Sequence, residues 1–138
     1  MAKLVRYGPP FTKTLGSMKT LAQVLAEVDR ADVLVGVRVK SVHTEQFSGE
    51  TALHICAKWG DAEAIRVLVA HGADINKPGE DSNTPLHYAA MLGHLSAAQA
   101  LVHLGAANTR DRYGNLPVDL ALDYPEVKAF LVSSGYAA

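Results

Sequence analysis

The sequence predicts an all-α protein built from stacked helix-turn-helix units. One observation is an internal repeat: residues 51–76 match residues 84–109 at an offset of 33, with 10 of 26 positions identical. Another is that each copy carries start and stop signals for two short helices. A period in this range is typical of solenoids, in which each unit buries its apolar face against its neighbours.

The second copy shows the helix signals most clearly. Thr84 is an N-cap residue, and Pro85 occupies the first helical position, where a missing N–H costs nothing. Gly93 predicts the end of this helix, because the left-handed conformation that closes many helices suits glycine. A second helix is predicted from about residue 95 to residue 103, and Gly105 stops it.

The other copies follow the same plan with changes. Thr51, Gly60 and Gly72 supply the signals of the first copy, and a third copy begins at Leu116. This third copy is about two residues short between its helices, which is expected of an atypical terminal capping unit. The stretch 76–83 between the first two copies is polar and rich in turn residues, so it predicts a protruding turn or hairpin.

Two segments precede the first copy. Residues 1–16 are basic and predict a flexible arm, whereas residues 17–43 predict a helical N-terminal cap and a connecting segment. Within that cap, apolar residues recur at helical spacing between Ser17 and Val28. Residues 31–42 fit either a helix turn or an extended segment, and we expect a helix turn followed by extended chain.

The repeated residues resemble the ankyrin-repeat family. The chain reads TALHICAKWGD…VLVAHGADIN and then TPLHYAAMLGH…LVHLGAANT, close to the family pattern around its TPLH motif and its GAD turn. The resemblance implies an ankyrin-repeat solenoid over residues 44–138. It places units at about 45–77 and 78–110 and a truncated capping repeat at 111–138.

Two departures from the family pattern stand out. Ser82 replaces the turn glycine that Gly49 and Gly114 supply in the other copies. Asp119 replaces the motif histidine in the third copy.

Catalytic and metal-binding chemistry find little support. Two of the six histidines, His54 and His87, are motif positions, which the resemblance implies support the backbone of their turn. No histidine pair has i, i+4 spacing and no HExxH motif occurs. The single cysteine, Cys56, excludes an internal disulfide and a CxxC motif, and we expect it in the core. We therefore predict no enzymatic activity, no cofactor and no metal, with a histidine-based metal protein or enzyme as the remote alternative.

The resemblance also implies a binding surface, since ankyrin stacks present first helices and hairpin tips on one concave side. Two sets of residues are the candidates for contact with a partner. In the groove we expect Lys58, Trp59, Met91, Leu92 and Tyr124, with Asp123 as an alternative to Tyr124, and at the tips Gln46, Phe47, Glu80, Asp81, Arg112 and Tyr113. The competing interpretation is that the groove residues pack on the seam between repeats and that tip aromatics fold back on the next tip. Tyr88 is expected in the seam itself.

The distribution of charge along the chain indicates what kind of partner it could bind. Residues 1–43 hold seven bases and three acids, whereas residues 44–138 hold six bases and eleven acids. The acidic stack could steer a partner with a basic surface, or the surplus could be a solvated face. A total charge of −1 argues against nucleic-acid binding, and the sequence lacks an apolar run long enough for a membrane span.

These patterns predict a non-catalytic protein-binding module. We expect an adaptor or an inhibitor of the immunity type, monomeric when free and cytoplasmic, or nuclear in a eukaryote. The alternative is a structural subunit that assembles with itself through the face of Trp59 and Met91.

Overall fold

The computed structural model describes residues 19–31 and 38–137. Within these ranges the chain forms six α-helices, two 3₁₀ turns and no β-strand. The helices are α1 (Leu21–Ala31), α2 (Ala52–Trp59), α3 (Ala62–Ala70), α4 (Pro85–Met91), α5 (Leu95–His103) and α6 (Pro125–Ser133), and the 3₁₀ turns are Glu80–Ser82 and Pro117–Leu120. The all-α solenoid predicted from the sequence is confirmed.

The helices pair within units and stack between units. α2 packs on α3, α4 packs on α5, and α6 packs on the 3₁₀ turn Pro117–Leu120. Between units, α4 contacts both α2 and that 3₁₀ turn, and α5 contacts both α3 and α6. One layer therefore holds the first helix of each unit, and the other layer holds the second helices.

The core lies between these two layers. Leu53 and Leu86 occupy equivalent repeat positions, as do Leu68 and Leu101. The largest apolar side chains of the core are fully buried: Leu53, Ile65, Leu68, Leu86, Leu101 and Leu131. Burying one such side chain stabilises the fold by about 1.5–3 kcal/mol. Small residues such as Ala57, Ala64, Ala90 and Ala97 are buried among them, which lets neighbouring helices approach closely.

The helix boundaries follow the capping residues. α4 begins at Pro85, and the hydroxyl of Thr84 accepts a hydrogen bond from the backbone N–H of His87 at 3.4 Å. α5 occupies the predicted range, residues 95–103. α3 begins after Asp61, whose Oδ1 atom accepts from the N–H of Ala64 at 3.0 Å.

Two glycines let each unit approach the next. Gly60 has a φ of 77°, and a Cβ atom there would lie 2.6 Å from the ring of His94. Gly93 has a φ of 76°, and a Cβ atom there would lie 2.3 Å from the ring of Tyr124. His94 and Tyr124 directly precede α5 and α6, so the same contact recurs along the stack.

The N-terminal helix α1 packs against α2 and α3. Lys19, just before it, places its ammonium 3.0 Å from Glu27 and also pairs with Asp61 at the start of α3. Burial lowers the pKa of Lys19, but the two carboxylates outweigh it and hold that pKa above its usual value. The helix continues three residues beyond Val28, the last apolar residue of the predicted helical pattern.

Some predictions fall on other parts of the chain. The basic arm 1–16 and residues 32–37 lie outside the described residues.

Candidate functional site

The ends of the first helices carry the groove candidates. Trp59 ends α2 and Met91 ends α4, and both are half-buried against the core. Leu92 follows Met91 and is 42% exposed. Trp59 and Met91 therefore take part in packing while each still presents part of its side chain.

The third unit adds an exposed residue that the sequence analysis did not name. Leu122 follows the 3₁₀ turn Pro117–Leu120 and is 76% exposed. The sequence did not identify Leu122 as a groove position, because the third copy is about two residues short and its alignment with Met91 and Leu92 is therefore obscured. We call Trp59, Met91, Leu92 and Leu122 the groove row. Beyond it, Tyr124 and Asp123 are also exposed.

The three hairpin tips are residues 46–49, 79–82 and 111–114. Phe47 in the first tip is fully exposed, and Glu80 in the second is exposed. The second and third tips touch each other: the backbone N–H of Arg112 donates to the carbonyl of Asp81 at 2.8 Å. The side chains of Arg112 and Tyr113 also reach Asp81 Oδ1, at 3.6 and 3.4 Å. Tyr113 thus folds toward a neighbouring tip, whereas Phe47 stands free of the described residues.

The second tip has an unusual backbone. Asp81 and Ser82 have φ values of 57° and 61°, which side chains rarely adopt. Gly49 and Gly114 have φ values of 94° and 86° at the positions equivalent to Ser82. The left-handed turn is therefore kept although the glycine is missing.

A buried carboxylate joins the first two units beneath the groove. Glu50 accepts hydrogen bonds from the ammonium of Lys58 at 2.8 Å, from the backbone N–H of Glu80 at 3.2 Å and from the hydroxyl of Tyr88. The ammonium of Lys58 also lies 4.5 Å from the centre of the Tyr88 ring, a cation–π contact. The groove candidate Lys58 therefore has an internal partner for its charge.

The pKa values within this cluster follow from burial and pairing. Burial raises the pKa of Glu50, but the hydrogen bonds from Lys58 and Tyr88 outweigh it and leave the pKa below its usual value. Burial, helped by the neighbouring Glu50 carboxylate, raises the pKa of Tyr88. Tyr88 is buried, as expected of a seam residue. The role of Glu50 was missed, although comparing Glu50 with Asn83 at the same offset of 33 would have drawn attention to it.

The motif histidines are structural. Their Nδ1 atoms accept from the backbone N–H groups of Thr51 and Thr84, each at 3.0 Å. Their Nε2 atoms lie near backbone carbonyls that flank the following hairpin tip, those of Lys77 and Asn115. Burial lowers the pKa of both His54 and His87. In the third unit Asp119 stands in place of the histidine and makes the first of these two contacts. Its Oδ2 atom accepts a hydrogen bond from the backbone N–H of Leu116 at 2.8 Å.

Cys56 and a metal site were the other candidates for chemistry. Cys56 is fully buried, and burial raises the pKa of its thiol, which makes it a poor nucleophile. Within residues 19–31 and 38–137, no three His, Cys, Asp or Glu side chains come together as metal ligands would. None of the helices in these ranges combines the length and apolar character that crossing a bilayer requires.

The stack of helix pairs, the tips and the histidine contacts define a class of protein. The sequence profile of the family described as "Ankyrin repeats (3 copies)" matches residues 18–112, and the chain belongs to this family. The matched range begins at residue 18 and so includes α1.

The chain is similar to several curated proteins. Human protein phosphatase 1 regulatory subunit 27 is 35% identical over 103 residues, which are 73% of this chain and 67% of that protein. Human Rabankyrin-5 is 34% identical over 90 residues, covering 62% of this chain but 7% of that protein. Human ARF GTPase-activating protein GIT1 is 32% identical over 87 residues, covering 63% and 10%. The family and these relatives indicate a role in binding other proteins.

Proposed function

We propose that this chain is a non-catalytic adaptor or inhibitor that docks another protein on its groove row and hairpin tips. The observation that carries the proposal is the set of exposed apolar side chains at these places. Leu92 and Leu122 are 42% and 76% exposed, and Phe47 is fully exposed. Apolar and aromatic side chains grouped on one surface are the usual anchors of protein interfaces.

The charge of the stack favours a partner with a basic surface. Residues 44–138 carry eleven acids against six bases. Of the bases, Lys58 is paired with Glu50, and Lys77 is paired with Glu45 at 3.2 Å. The exposed carboxylates of Glu80 and Asp123 add to the negative potential that would steer a basic partner.

Several features support a binding role without catalysis. Cys56 is buried, and the rings of His54 and His87 are engaged on both nitrogens. The relative named as a phosphatase regulatory subunit supports a role that modulates another protein. A cytoplasmic location is part of the proposal, supported by a single thiol that is buried and unpaired.

The test compares two leucines that are exposed to a similar degree but lie on different layers of the stack. Leu92 follows α4 in the groove row, and Leu104 follows α5 on the other layer, with 42% and 38% exposure. The immobilised full chain captures partners from native cell extract, and the Kd of the captured protein is then measured for Leu92→Glu and Leu104→Glu. We expect at least a tenfold weaker Kd for Leu92→Glu, about 1.4 kcal/mol, and no change for Leu104→Glu. Equal binding by both variants would contradict docking on the groove row.

The exposed groove row also suits the alternative of self-assembly. The discriminating measurement is light scattering of the wild type and Leu92→Glu at two concentrations. A wild-type dimer that Leu92→Glu dissociates would make the groove row an assembly seam. A monomer at both concentrations supports docking of a different protein.

A further inference from the structure

A buried hydrogen-bond acceptor without a donor lies at the second unit. The Oδ1 atom of Asn83 has no hydrogen-bond partner among the described residues, and no other buried side-chain nitrogen or oxygen in those ranges is in this state. The residue is 8% exposed. Buried polar atoms in native proteins nearly always have a partner, so this oxygen requires an explanation.

The first unit shows how the equivalent position is satisfied. Asn83 is the counterpart of Glu50 at the repeat offset of 33. Glu50 receives three donors: the ammonium of Lys58, the hydroxyl of Tyr88 and the backbone N–H of Glu80. The first unit thus places a cation, the ammonium of Lys58, against a buried acceptor, the carboxylate of Glu50, next to the groove row.

The side chains that serve Glu50 are replaced in the next unit by groups that cannot donate. Met91 stands at the position of Lys58, and Leu120 stands at the position of Tyr88. Both are half-buried. Neither a thioether nor an isobutyl group carries a proton for a hydrogen bond.

The backbone donor is directed elsewhere. Arg112 is the counterpart of Glu80, and its N–H donates to the carbonyl of Asp81 at 2.8 Å. Asp81, which accepts this bond, adopts the left-handed conformation, with a φ of 57°. Asn83 Oδ1 therefore lacks all three donors that its counterpart has.

The surroundings favour a cationic donor from outside the chain. Residues 79–125 contain five acids, of which Glu80, Asp119 and Asp123 are exposed, and two bases. One of those bases, Arg112, already pairs with Asp81. Met91 is unbranched with three rotatable side-chain bonds, which makes it one of the more adaptable apolar side chains.

We propose that a lysine or arginine side chain of the partner donates to Asn83 Oδ1, in the place that Lys58 holds beside Glu50. An apolar residue next to that cation packs on Leu92. This inference rests on the proposed function, since it names the chemistry that the groove row selects. The partner segment is therefore basic with an adjacent apolar residue.

The experiment uses a displayed library of random dodecapeptides selected on the immobilised full chain. The best peptide is then titrated against the wild type, Asn83→Leu, Met91→Lys and the exposed control Asn108→Leu. Met91→Lys supplies a cation from within the chain, and this cation should exclude the basic side chain of the peptide from the site at Asn83. A second peptide carries methionine in place of the basic residue and completes a double-mutant cycle with Asn83→Leu.

We expect selected peptides to be enriched in lysine or arginine beside an apolar residue. Asn83→Leu and Met91→Lys should each weaken binding at least tenfold, and Asn108→Leu should not. The methionine peptide should bind wild type and Asn83→Leu equally. The melting temperature of Asn83→Leu should stay the same or rise, because an unpaired oxygen is removed.

Three results would overturn the inference. If the melting temperature of Asn83→Leu falls by several degrees, the oxygen already has a partner. If peptide binding depends on Leu92 but not on Asn83, docking on the groove row stands and the cation site is wrong. If no peptide prefers wild type over Leu92→Glu, both the cation site and the proposed function fail.

Discussion

The Nε2 atom of His54 lies 2.7 Å from the carbonyl oxygen of Lys77, and this contact ties α2 to the segment that leads into the second hairpin tip. The Nδ1 atom accepts from the N–H of Thr51, so in the neutral ring Nε2 carries the proton and donates it to Lys77. His87 makes a similar contact on the other side of the third tip, with the carbonyl of Asn115 at 2.9 Å. Each ring thereby holds both its own helix start and the turn of the following unit.

Replacing His87 should be costly. In His87→Ala the N–H of Thr84 and the carbonyl of Asn115 lose their partner, and a cavity opens at a fully buried site. We expect a loss of about 2–4 kcal/mol in the free energy of unfolding, measured by urea denaturation near neutral pH. His103→Ala is the control, because His103 is exposed and its loss should cost less than about 0.5 kcal/mol. Similar losses for both variants would contradict the linking role.

The same rings should make stability depend on pH. Burial lowers the pKa of His54 and His87 in the folded chain, whereas both titrate near 6.5 when unfolded. The unfolded chain therefore binds more protons below that value, so stability is complete above about pH 6.5 and declines as the pH falls toward the folded pKa values. Urea unfolding at about pH 7.5 and about pH 5.5 should show this decline, and His54→Gln should reduce it. A stability that rises over the same interval would refute the assignment.

Restoring the missing turn glycine should stabilise the chain. Ser82 holds a φ of 61°, where a side chain costs about 1–2 kcal/mol, and the entropy of glycine offsets part of that gain. We expect Ser82→Gly to raise the free energy of unfolding by about 0.5–1 kcal/mol in urea denaturation. Ser48, just before Gly49 in the first tip, is not in the left-handed region, so Ser48→Gly should bring no gain. Equal effects of the two substitutions would show that the turn is not strained.

Cys56 should report on unfolding. Its thiol is fully buried, and burial raises its pKa, so a thiol reagent should react at least ~100-fold more slowly with the folded chain than with the chain in urea. The chain has a single cysteine, so the colour yield of a disulfide reagent measures this site alone. Rapid reaction in the absence of urea would mean that α2 opens locally.

Local signals predicted the helices well. Thr84, Pro85 and Gly93 placed α4 within its unit, and α5 matches its predicted range of residues 95–103 because caps and glycines act on neighbouring residues. The repeat also predicts that Ser82 lies in a turn that favours glycine, since equivalent positions adopt similar backbone conformations.

Contacts between units could not be predicted in the same way. The cluster of Glu50, Lys58 and Tyr88 joins residues up to 38 positions apart, and it exists only because α4 stacks on α2. Sequence patterns within one unit do not reveal which side chains meet across a seam. For the same reason the ion pair between the groove candidate Lys58 and Glu50 was not predicted.

Hydroxyl-radical footprinting of the chain alone and bound to its captured partner determines whether the partner docks on the groove row and tips. Met, Trp, Phe and Tyr side chains react readily, so Phe47, Trp59 and Met91 act as reporters of that surface. The exposed His71 and His103 serve as controls elsewhere on the stack. Binding should slow oxidation of Phe47, Trp59 and Met91 and leave both histidines unchanged. Protection of His71 and His103 with unchanged oxidation of the three reporters would contradict docking on the groove row and tips.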